Sequence, residues 1–323
     1  MSPQLPTERI LAPAGVQAWR DDVARQGGSV AVVTGTFDLL QPGNIAAVAR
    51  AARAASHVCL VLEGDDDASR HTRRGRPQYS LPERAELVAH LRGVHAITSF
   101  ASADASRLFR HLSPFTWLGC RAQGAADALG PPATDAAQST VALPALAGCF
   151  SDDIAEAIRA GRTPVPLPAG LYEPVRSDDT GAGAAIPGRA TVNGCFDVLH
   201  IGHARFLSQA AALGNDLTVL INDDNSVRRY KGPTRPVFPA AFRRAALLAM
   251  ESVAHVYAFQ ADDPLSLLAR IRPAIHVKGG TYEPDRVRQE RGLLEQWGGR
   301  VEFCPLIEGY STTAYIRGVL GST

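Results

Sequence analysis

The chain has 323 residues, of which 46% are hydrophobic and 20% charged, and this length favours two globular domains of about 150 residues each. Its 33 lysines and arginines nearly balance its 32 acidic residues, and the formal charge of +1 excludes a global field that would attract nucleic acid or an anionic membrane. Because no run of about 18 uncharged apolar residues occurs and the N-terminus lacks the basic-then-apolar order of a signal peptide, we expect a cytoplasmic protein without a membrane partner.

An internal repeat divides the chain. The motif TGTFDLLQPGN at 34–44 recurs as NGCFDVLHIGH at 193–203, an offset of 159 residues. The same offset holds without a gap as far as Pro114 and Pro273, which chance does not explain, so we infer a tandem duplication. The predicted parts are an N-terminal extension, a first copy, a linker rich in proline and glycine, and a second copy, over 1–27, 28–160, 161–188 and 189–323.

The hydrophobic pattern alternates between strands and helices. A helix is predicted in the extension over 16–25, and the second copy shows the alternation most clearly. Apolar strands that alternate with helices are typical of an α/β fold, in which a parallel sheet carries helices on both faces. Ligands of such sheets bind at the carboxyl ends of the strands, where the strand order reverses. In the second copy we predict strands at 190–193, 217–221, 255–259, 274–277 and 300–303, and helices at 204–213, 240–250, 264–270, 285–297 and from 312.

The loop after the first strand of the second copy runs from Asn193 to His203 and carries the candidate site. Gly194 and Gly202 allow the backbone to approach a ligand closely. His200 and His203 bracket Gly202 at the start of a helix, where unpaired N–H groups and the helix dipole favour an anion. A single histidine in such a place is more often structural, but two at this spacing predict a phosphate site.

Two further segments are predicted near that loop. Ser311, Thr312 and Thr313 begin the last helix, where Ser311 is an N-cap candidate and the hydroxyls could hold outer phosphates of a nucleotide. After the second strand, six cations lie within 17 residues with no acid among them. Such a run is commonly a solvated face, but a polyanionic ligand would explain both the run and the histidines. The six are Arg228, Arg229, Lys231, Arg235, Arg243 and Arg244.

These residues resemble the signatures of the cytidylyltransferase-like nucleotidyltransferases: G-x-F-D-x-x-H-x-G-H, a basic loop that contains a lysine, and a closing E-G-x-S-T-T. The similarity covers nearly all of 189–323 and, in weaker form, 28–160. The segments VKGGTY at 277–282, GGRV at 298–301 and PLIEG at 305–309 are most similar to the adenylyltransferase domain of ADP-heptose synthesis, the D-glycero-β-D-manno-heptose 1-phosphate branch. The resemblance implies two tandem Rossmann-like nucleotidyltransferase domains.

The family likeness also implies the chemistry. A substrate phosphate would attack the α-phosphorus of a nucleoside triphosphate (NTP) in line and release pyrophosphate; ATP is favoured over CTP, and the acceptor is a phosphorylated sugar or polyol. Mg²⁺ would arrive with the NTP. No protein metal site is predicted, because Asp197 is expected to fix the loop and the five cysteines form no C-x-x-C pair. The candidate residues are His200, His203 and Lys231 for catalysis; Asn193, Gly194, Cys195, Phe196, Gly202, Lys278, Gly279, Gly280, Ser311, Thr312 and Thr313 for the nucleotide; and Asp224, Arg235 and Arg243 for the acceptor.

The first copy keeps the glycines, the phenylalanine and the aspartate of the motif but loses its phosphate-facing residues. We therefore predict that it is catalytically silent and pairs with the second copy as an intrachain pseudo-dimer, with further homo-oligomerisation left open. The replacements are Gln41 for His200, Asn44 for His203, Thr72 for Lys231, Gly119 and Cys120 for Lys278 and Gly279, and the acidic pair Asp152 and Asp153 for Thr312 and Thr313.

Two alternatives stay open at this point. One is a cytidylyltransferase that acts on a phosphorylated alcohol of the glycerol-phosphate or ethanolamine-phosphate type, since those enzymes share the core motifs. The other is a nucleotide-binding regulatory protein without turnover, against which the intact histidines, Lys231 and the hydroxyl run argue. A class I tRNA synthetase, which also uses paired histidines around a glycine, is disfavoured because the chain has no room for an anticodon-binding domain.

Overall fold

The computed structural model describes residues 6–71, 77–101, 104–113, 115–120, 137–143, 151–165, 188–280, 284–305 and 309–320. The chain separates into two compact units, Met1–Glu156 and Ala157–Thr323. Most of the predicted linker, together with Thr72, lies outside the described residues. The predicted limits of the extension, the copies and the linker therefore stay sequence-based.

The first unit is an α/β sheet structure. An N-terminal helix precedes the alternating strands and helices, and the last helix crosses the division between the two units. The bounds are α1 Val16–Arg25, β1 Val30–Gly35, α2 Pro42–Ala54, β2 His57–Glu63, α3 Asp65–His71, α4 Leu81–Ala89, β3 Ala96–Phe100, α5 Ala105–Leu112, β4 Phe115–Cys120, β5 Ala137–Leu143 and α6 Ser151–Arg159.

The second unit repeats this alternation, and its five strands lie where the sequence predicts them. Helix α7 begins at Ile201 rather than at the predicted residue 204, so the second histidine of the motif belongs to its first turn. The bounds are β6 Arg189–Gly194, α7 Ile201–Ala211, β7 Asp216–Asn222, α8 Asp224–Lys231, α9 Ala240–Leu248, β8 His255–Phe259, α10 Leu265–Ile271, β9 Ile275–Gly279, α11 Arg288–Glu295, β10 Arg300–Cys304 and α12 Thr312–Leu320.

Both sheets are parallel and have the same strand order. The first runs β3-β2-β1-β4-β5 and the second β8-β7-β6-β9-β10, with helices on both faces. The pairing registers also correspond, since Val32 lies opposite Trp117 in the first sheet and Thr191 opposite His276 in the second. Strand order reverses beside β1 and β6, so the loops after these central strands open into the crevice where α/β sheets bind ligands.

Residues 6–25 help to build the core of the first unit. Leu11 donates its backbone N–H to the carbonyl of Ile97 at 2.7 Å, which covers the outer edge of β3. Val16 and Val23 of α1 pack in one apolar cluster with Val32 and Trp117 of the sheet. The segment predicted as an extension therefore fills one face of the first sheet.

A buried aspartate fixes the loop after the central strand in each unit. The Oδ1 atom of Asp197 accepts hydrogen bonds from the backbone N–H groups of Val237 at 2.7 Å and Phe238 at 3.0 Å. Asp38 does the same in the first unit, where it accepts from two consecutive N–H groups, at Gln78 and Tyr79. The contacts of Asp197 therefore agree with its predicted structural role. We call this carboxylate, which holds the loop through two backbone N–H groups, the loop anchor.

A buried arginine in each unit donates hydrogen bonds to backbone carbonyls of the same loop and its neighbours. We call this set of contacts the arginine clamp. The side chain of Arg243 is 0% exposed and donates to the carbonyls of Cys195 at 2.7 Å, Asn222 at 2.8 Å and Phe238 at 3.1 Å, and to the Asp224 carboxylate at 2.8 Å. Its counterpart in the first unit makes the equivalent four contacts. There Arg84, also 0% exposed, donates to the carbonyls of Thr36, Glu63 and Tyr79 and to the carboxylate of Asp65.

We predict that Arg243→Met and Arg84→Met destabilise the protein to a similar extent. Each removes a buried cation and leaves three carbonyls and a carboxylate without their donor, a loss of about 3–5 kcal/mol in the free energy of unfolding. Urea unfolding measures it, and Arg270→Met on the exposed side of α10 is the control. If the Arg243→Met variant lost ligand affinity but kept the free energy of unfolding, Arg243 would serve only to bind ligand and the prediction would be contradicted.

Candidate nucleotide site

The two motif histidines lie together at the N-terminus of α7. His200 is the N-cap residue, and its Nδ1 atom accepts a hydrogen bond from the backbone N–H of His203 at 3.4 Å. The two imidazole rings stack with their centroids 3.7 Å apart. The predicted convergence of the two rings is therefore observed, and both lie where helix N–H groups favour an anion.

Burial keeps both rings uncharged near neutral pH. It lowers the pKa of His200 to about 4. Burial, reinforced by the neighbouring His200, holds the pKa of His203 well below its ordinary value. Near neutral pH the Nε2–H of His200, whose Nδ1 accepts from the helix backbone, can therefore donate to a phosphate oxygen without the ring carrying charge. The His203 ring also has a hydrogen bond to the backbone of Val198.

Two glycines and a phenylalanine set the path of the loop. Phe196 has φ of 44°, in the left-handed region, and its ring lies under Gly194, where an added Cβ would come within 3.1 Å of the ring. A Cβ on Gly202 would meet the His200 ring at 3.1 Å and Tyr310 at 3.2 Å. Because residue 202 has no side chain, the His200 ring and Tyr310 can both pack against the start of α7.

Helix α12 begins beside the histidine loop. The Thr312 hydroxyl lies 3.4 Å from the carbonyl of Val198 in that loop. Ser311 caps the helix, as its Oγ accepts from the backbone N–H of Ala314 at 3.0 Å. Ser311 and Thr313 are exposed there. The N-termini of α7 and α12 therefore lie at one place, and the anion site proposed there stays a prediction.

The predicted basic loop is partly a helix. Asp223 caps α8 by accepting from the N–H of Ser226 at 2.7 Å, so the helix continues to Lys231 before Gly232 ends it with φ of 95°. Lys231 is exposed at this end, and among the described residues its ammonium has no recorded partner. It stays available for a phosphate.

The six cations do not form one anion-binding surface. The sequence shows their positive charge but not the acids that reach them from other elements, and half of them are paired. Arg243 and Asp224, predicted to bind the acceptor, are engaged with each other, which supports a positioning role. Arg235 is nearly buried and donates its Nε to the Asp197 carboxylate. Its two terminal nitrogens are the atoms that could contact the acceptor substrate. The pairs are Arg229 with Asp262 at 2.8 Å, Arg235 with Asp197 at 2.6 Å and Arg243 with Asp224 at 2.8 Å.

A polar ladder crosses from β6 to β9 and ends at the site. Thr191 Oγ1 and His276 Nδ1 are 2.8 Å apart inside the sheet. Towards the carboxyl ends, Lys278 Nζ donates to Asn193 Oδ1 at 2.9 Å and to Glu290 Oε1 of α11 at 2.8 Å. Burial, reinforced by the Lys278 ammonium, holds the pKa of His276 well below its ordinary value.

Glu290 and His276 were not predicted from the sequence. A lone histidine in an apolar strand and a glutamate in an amphipathic helix carry no local signal of a site. Cys195, a predicted nucleotide contact, lies with its Sγ 3.9 Å from Asn222 Oδ1, and burial raises the pKa of its thiol. It is therefore a neutral thiol at the edge of the site rather than a nucleophile.

The first unit replaces the stacked histidines with a capping box. Gln41 is the N-cap residue of α2, its side chain accepts from the N–H of Asn44, and Asn44 Oδ1 accepts from the N–H of Gln41 at 3.2 Å. Glu63, at the position of Asn222, is buried and accepts from the Thr36 hydroxyl at 2.6 Å. A carboxylate bound to the loop after β1 opposes the binding of phosphate there.

The profile of the cytidylyltransferase-like family matches residues 32–127 and 191–318, which include both histidine-loop positions and the start of α12. The chain belongs to the cytidylyltransferase-like family. One matched segment lies in each of the two units. In the described part of the chain, no helix is long and apolar enough to cross a membrane, and no group of three or more histidine, cysteine, aspartate or glutamate side chains is placed to hold a metal ion.

Curated relatives match the second half of this cytidylyltransferase-like chain. The bifunctional protein HldE of Acidiphilium cryptum is 51% identical over 124 residues, which are 38% of this chain and 25% of that protein. The bifunctional protein HldE of Syntrophotalea carbinolica is 44% identical over 128 residues, 40% of this chain and 26% of that protein. The matched part thus spans about a quarter of the length of these relatives.

Two solved structures share low similarity with the chain. The lipopolysaccharide core biosynthesis protein from Thermoplasma volcanium is 22% identical with a TM-score of 0.32, over 38% of this chain and 98% of that one. The NadR protein in complex with NAD and AMP-PNP is 12% identical with a TM-score of 0.28, over 92% of this chain and 96% of that one. At these scores neither likeness carries an argument about function.

The buried histidines predict a specific pH dependence of stability. The lowered pKa of His200 means that, between pH about 6.5 and about 4, the unfolded chain takes up a proton that the folded protein does not, so stability falls as the pH falls. From pH 7 to pH 5 we expect a loss of about 2 kcal/mol from His200, and the lowered pKa of His203 acts in the same direction. The double variant His200→Gln/His203→Asn installs the amide pair of the first unit and should lose this dependence while keeping the fold.

The measurement is the free energy of unfolding in urea at several pH values for the unaltered and the double-variant protein. Because both proteins contain the same carboxylates, the difference between their pH profiles isolates the two histidines. Identical profiles would show that the two histidines have the same pKa values in the folded and the unfolded chain, and would contradict the prediction.

Proposed function

We propose that the second copy is an adenylyltransferase that transfers AMP from ATP to a sugar phosphate of the heptose 1-phosphate type. The observation that carries the proposal is the stacked, uncharged pair His200 and His203, which meets the start of α12 at one place in a member of this family. An acceptor phosphate oxygen forms a bond to the α-phosphorus, the bond from that phosphorus to the bridging oxygen breaks, and pyrophosphate leaves with the electron pair.

The residues would act by position and by charge stabilisation, without a covalent intermediate. The imidazole N–H groups of His200 and His203 would donate to the oxygens of the α-phosphate as negative charge builds on them. Lys231, exposed at the end of α8, would supply a fixed positive charge to the phosphates. Ser311, Thr312 and Thr313, with the unpaired N–H groups of α12, would hold the departing pyrophosphate.

Mg²⁺ would come with the triphosphate, where it neutralises phosphate charge during transfer. The acids nearest the site suit this arrangement, since Asp197 and Asp224 are engaged in the loop anchor and the arginine clamp. Arg235 would face the acceptor phosphate with the nitrogens that Asp197 leaves unused.

Adenine and a heptose-type acceptor are supported by sequence likeness. The segment from Val277 to Gly280 at the end of β9 resembles the heptose branch, and the curated relatives at 42–51% identity are HldE proteins. A phosphorylated alcohol with CTP is the alternative that shares the core motifs.

The test is pyrophosphate release from ATP or CTP with a panel of acceptors: heptose 1-phosphate, mannose 1-phosphate, glycerol 3-phosphate and ethanolamine phosphate. We expect the highest kcat/KM for ATP with the heptose phosphate. His200→Ala and His203→Ala should each lower turnover by about 10²–10³-fold, the effect of losing one preorganised donor.

His255→Ala, on the half-exposed edge strand β8, is the matched control for loss of a histidine. A preference for CTP with a phosphorylated alcohol would move the protein to the alternative branch. Tight NTP binding without turnover on any acceptor would favour a regulatory binder. Near-unaltered rates in both site variants would refute the mechanism.

We also expect one NTP site per chain. The first unit offers an amide capping box and the buried Glu63 in place of the histidines, and Thr72 in place of Lys231. Calorimetric titration of the full chain with ATP should therefore give a stoichiometry of one. Lys231→Thr, which copies the first unit, should weaken binding without a change in stability, and two equivalent sites would contradict the prediction.

A further inference from the structure

Lys278 and Glu290 form a nearly buried ion pair at the ligand edge of the second sheet. Their side chains are 11% and 12% exposed, and Nζ lies 2.8 Å from Oε1. Lys278 is the last residue but one of β9 and also donates to Asn193 near the end of β6, so it links the ion pair to the two strands beside which the strand order reverses. Removing two charges from water costs free energy that their attraction barely offsets.

The first unit shows that the fold does not need this ion pair. Thr34 stands at the position of Asn193 and Gly119 at that of Lys278, in strands with the same register. The loop anchor and the arginine clamp, which do serve the fold, are present in both units. The ion pair accompanies the stacked histidines and Lys231 instead, so its role lies with the ligand.

The ion pair presents a hydrogen-bond donor next to an acceptor. An ammonium has three donors, and Lys278 uses two of them, on Asn193 and Glu290. Among the described residues the second carboxylate oxygen of Glu290, Oε2, has no recorded hydrogen bond. At the carboxyl ends of the strands, the ion pair therefore keeps one N–H and one carboxylate oxygen for which no hydrogen bond is recorded.

We propose that Lys278 and Glu290 read the base of the bound nucleotide, and that they select a base with an exocyclic amino group beside a ring-nitrogen acceptor. This inference rests on the proposed function, since it concerns the same nucleotide site. Lys278 donates to the ring nitrogen and Glu290 Oε2 accepts from the amino group. Adenine and cytosine present this order of groups, whereas hypoxanthine, guanine and uracil present the reverse, with a ring N–H and a carbonyl.

Asn193 acts as a positioning residue in this arrangement. Its amide oxygen accepts from the Lys278 ammonium across the neighbouring strands β6 and β9. Further from the carboxyl ends of these strands, Thr191 and His276 make the next side-chain contact between them. His276 lies on the same side of β9, two residues before Lys278. An uncharged imidazole at that place leaves the Lys278 ammonium with Glu290 as its only charged neighbour among the contacts recorded for it.

The experiment compares ATP with inosine triphosphate (ITP), which differs only in the groups that the ion pair would read. Binding to the full chain is measured by calorimetry without acceptor, so it does not depend on which sugar phosphate is used. We expect ATP to bind at least about 10²-fold more tightly than ITP, because a reversed donor and acceptor leave buried polar groups unpaired.

Glu290→Gln should reduce this ATP preference at least about tenfold, since an amide can rotate to donate to the carbonyl of hypoxanthine. Glu295→Gln, an exposed glutamate on the same helix, is the matched control and should leave the preference unchanged. Glu290→Asp keeps the charge but withdraws the oxygens by one methylene. Glu290→Asp is the second variant to be used if the Glu290→Gln protein does not fold. We expect it to lower the preference for ATP over ITP as well.

Each outcome decides the matter. Equal binding of ATP and ITP by the unaltered protein would overturn the inference and leave the proposed transfer reaction intact. Equal weakening of both nucleotides by the Glu290 variants would place the ion pair against the ribose or the phosphates and would also overturn it. Absence of binding of any NTP would overturn the proposed function and this inference together, whereas a selective loss for ATP supports both.

Discussion

The site depends on one interaction, the hold of a buried carboxylate on two consecutive backbone N–H groups. Asp197 ties the loop after β6 to the segment that leads into α9, and Arg243 closes the same loop by donating to its carbonyl at Cys195. A loop with Phe196 at positive φ would otherwise sample many conformations. Because the loop is fixed on both sides, His200 begins its helix with the ring already aimed at the place where a phosphate would bind.

The two copies separate what the fold requires from what a ligand requires. Aspartate, arginine and the strained phenylalanine occur in both, with equivalent contacts, although the first copy has lost the stacked histidines. At the helix start the first copy uses amides that satisfy each other's backbone, which avoids the desolvation of an imidazole. The second copy keeps two buried rings whose pKa values are lowered, a cost in stability at acid pH that only a function there would justify.

Much of this was predictable from the sequence, for a physical reason. The offset of 159 residues and the alternation of apolar runs depend on local order, so they predicted the strands, the histidine loop and the start of α12. The sequence could not decide between a solvated face and an anion site for the cation run, because local sequence shows that Arg229 is positive but not that Asp262, 33 residues away, pairs with it. Lys278 was expected at the nucleotide, but local sequence does not show its partners: the strand order brings Asn193, 85 residues away, beside it, and Glu290 reaches it from helix α11.

If the proposed function holds, a chain with nearly balanced charge has to attract a triphosphate locally, and the second copy would do so with few fixed cations. Arg243 is occupied by the fold, Arg229 and Arg235 have acidic partners, and the histidines are neutral, so Lys231 is the cation without a recorded partner near the described loop. Under the proposed function, N–H groups of two helix starts and two imidazoles would supply most of the stabilisation. Such donors respond to the position of charge rather than to its amount, and this favours the transition state of transfer, where charge shifts between oxygens.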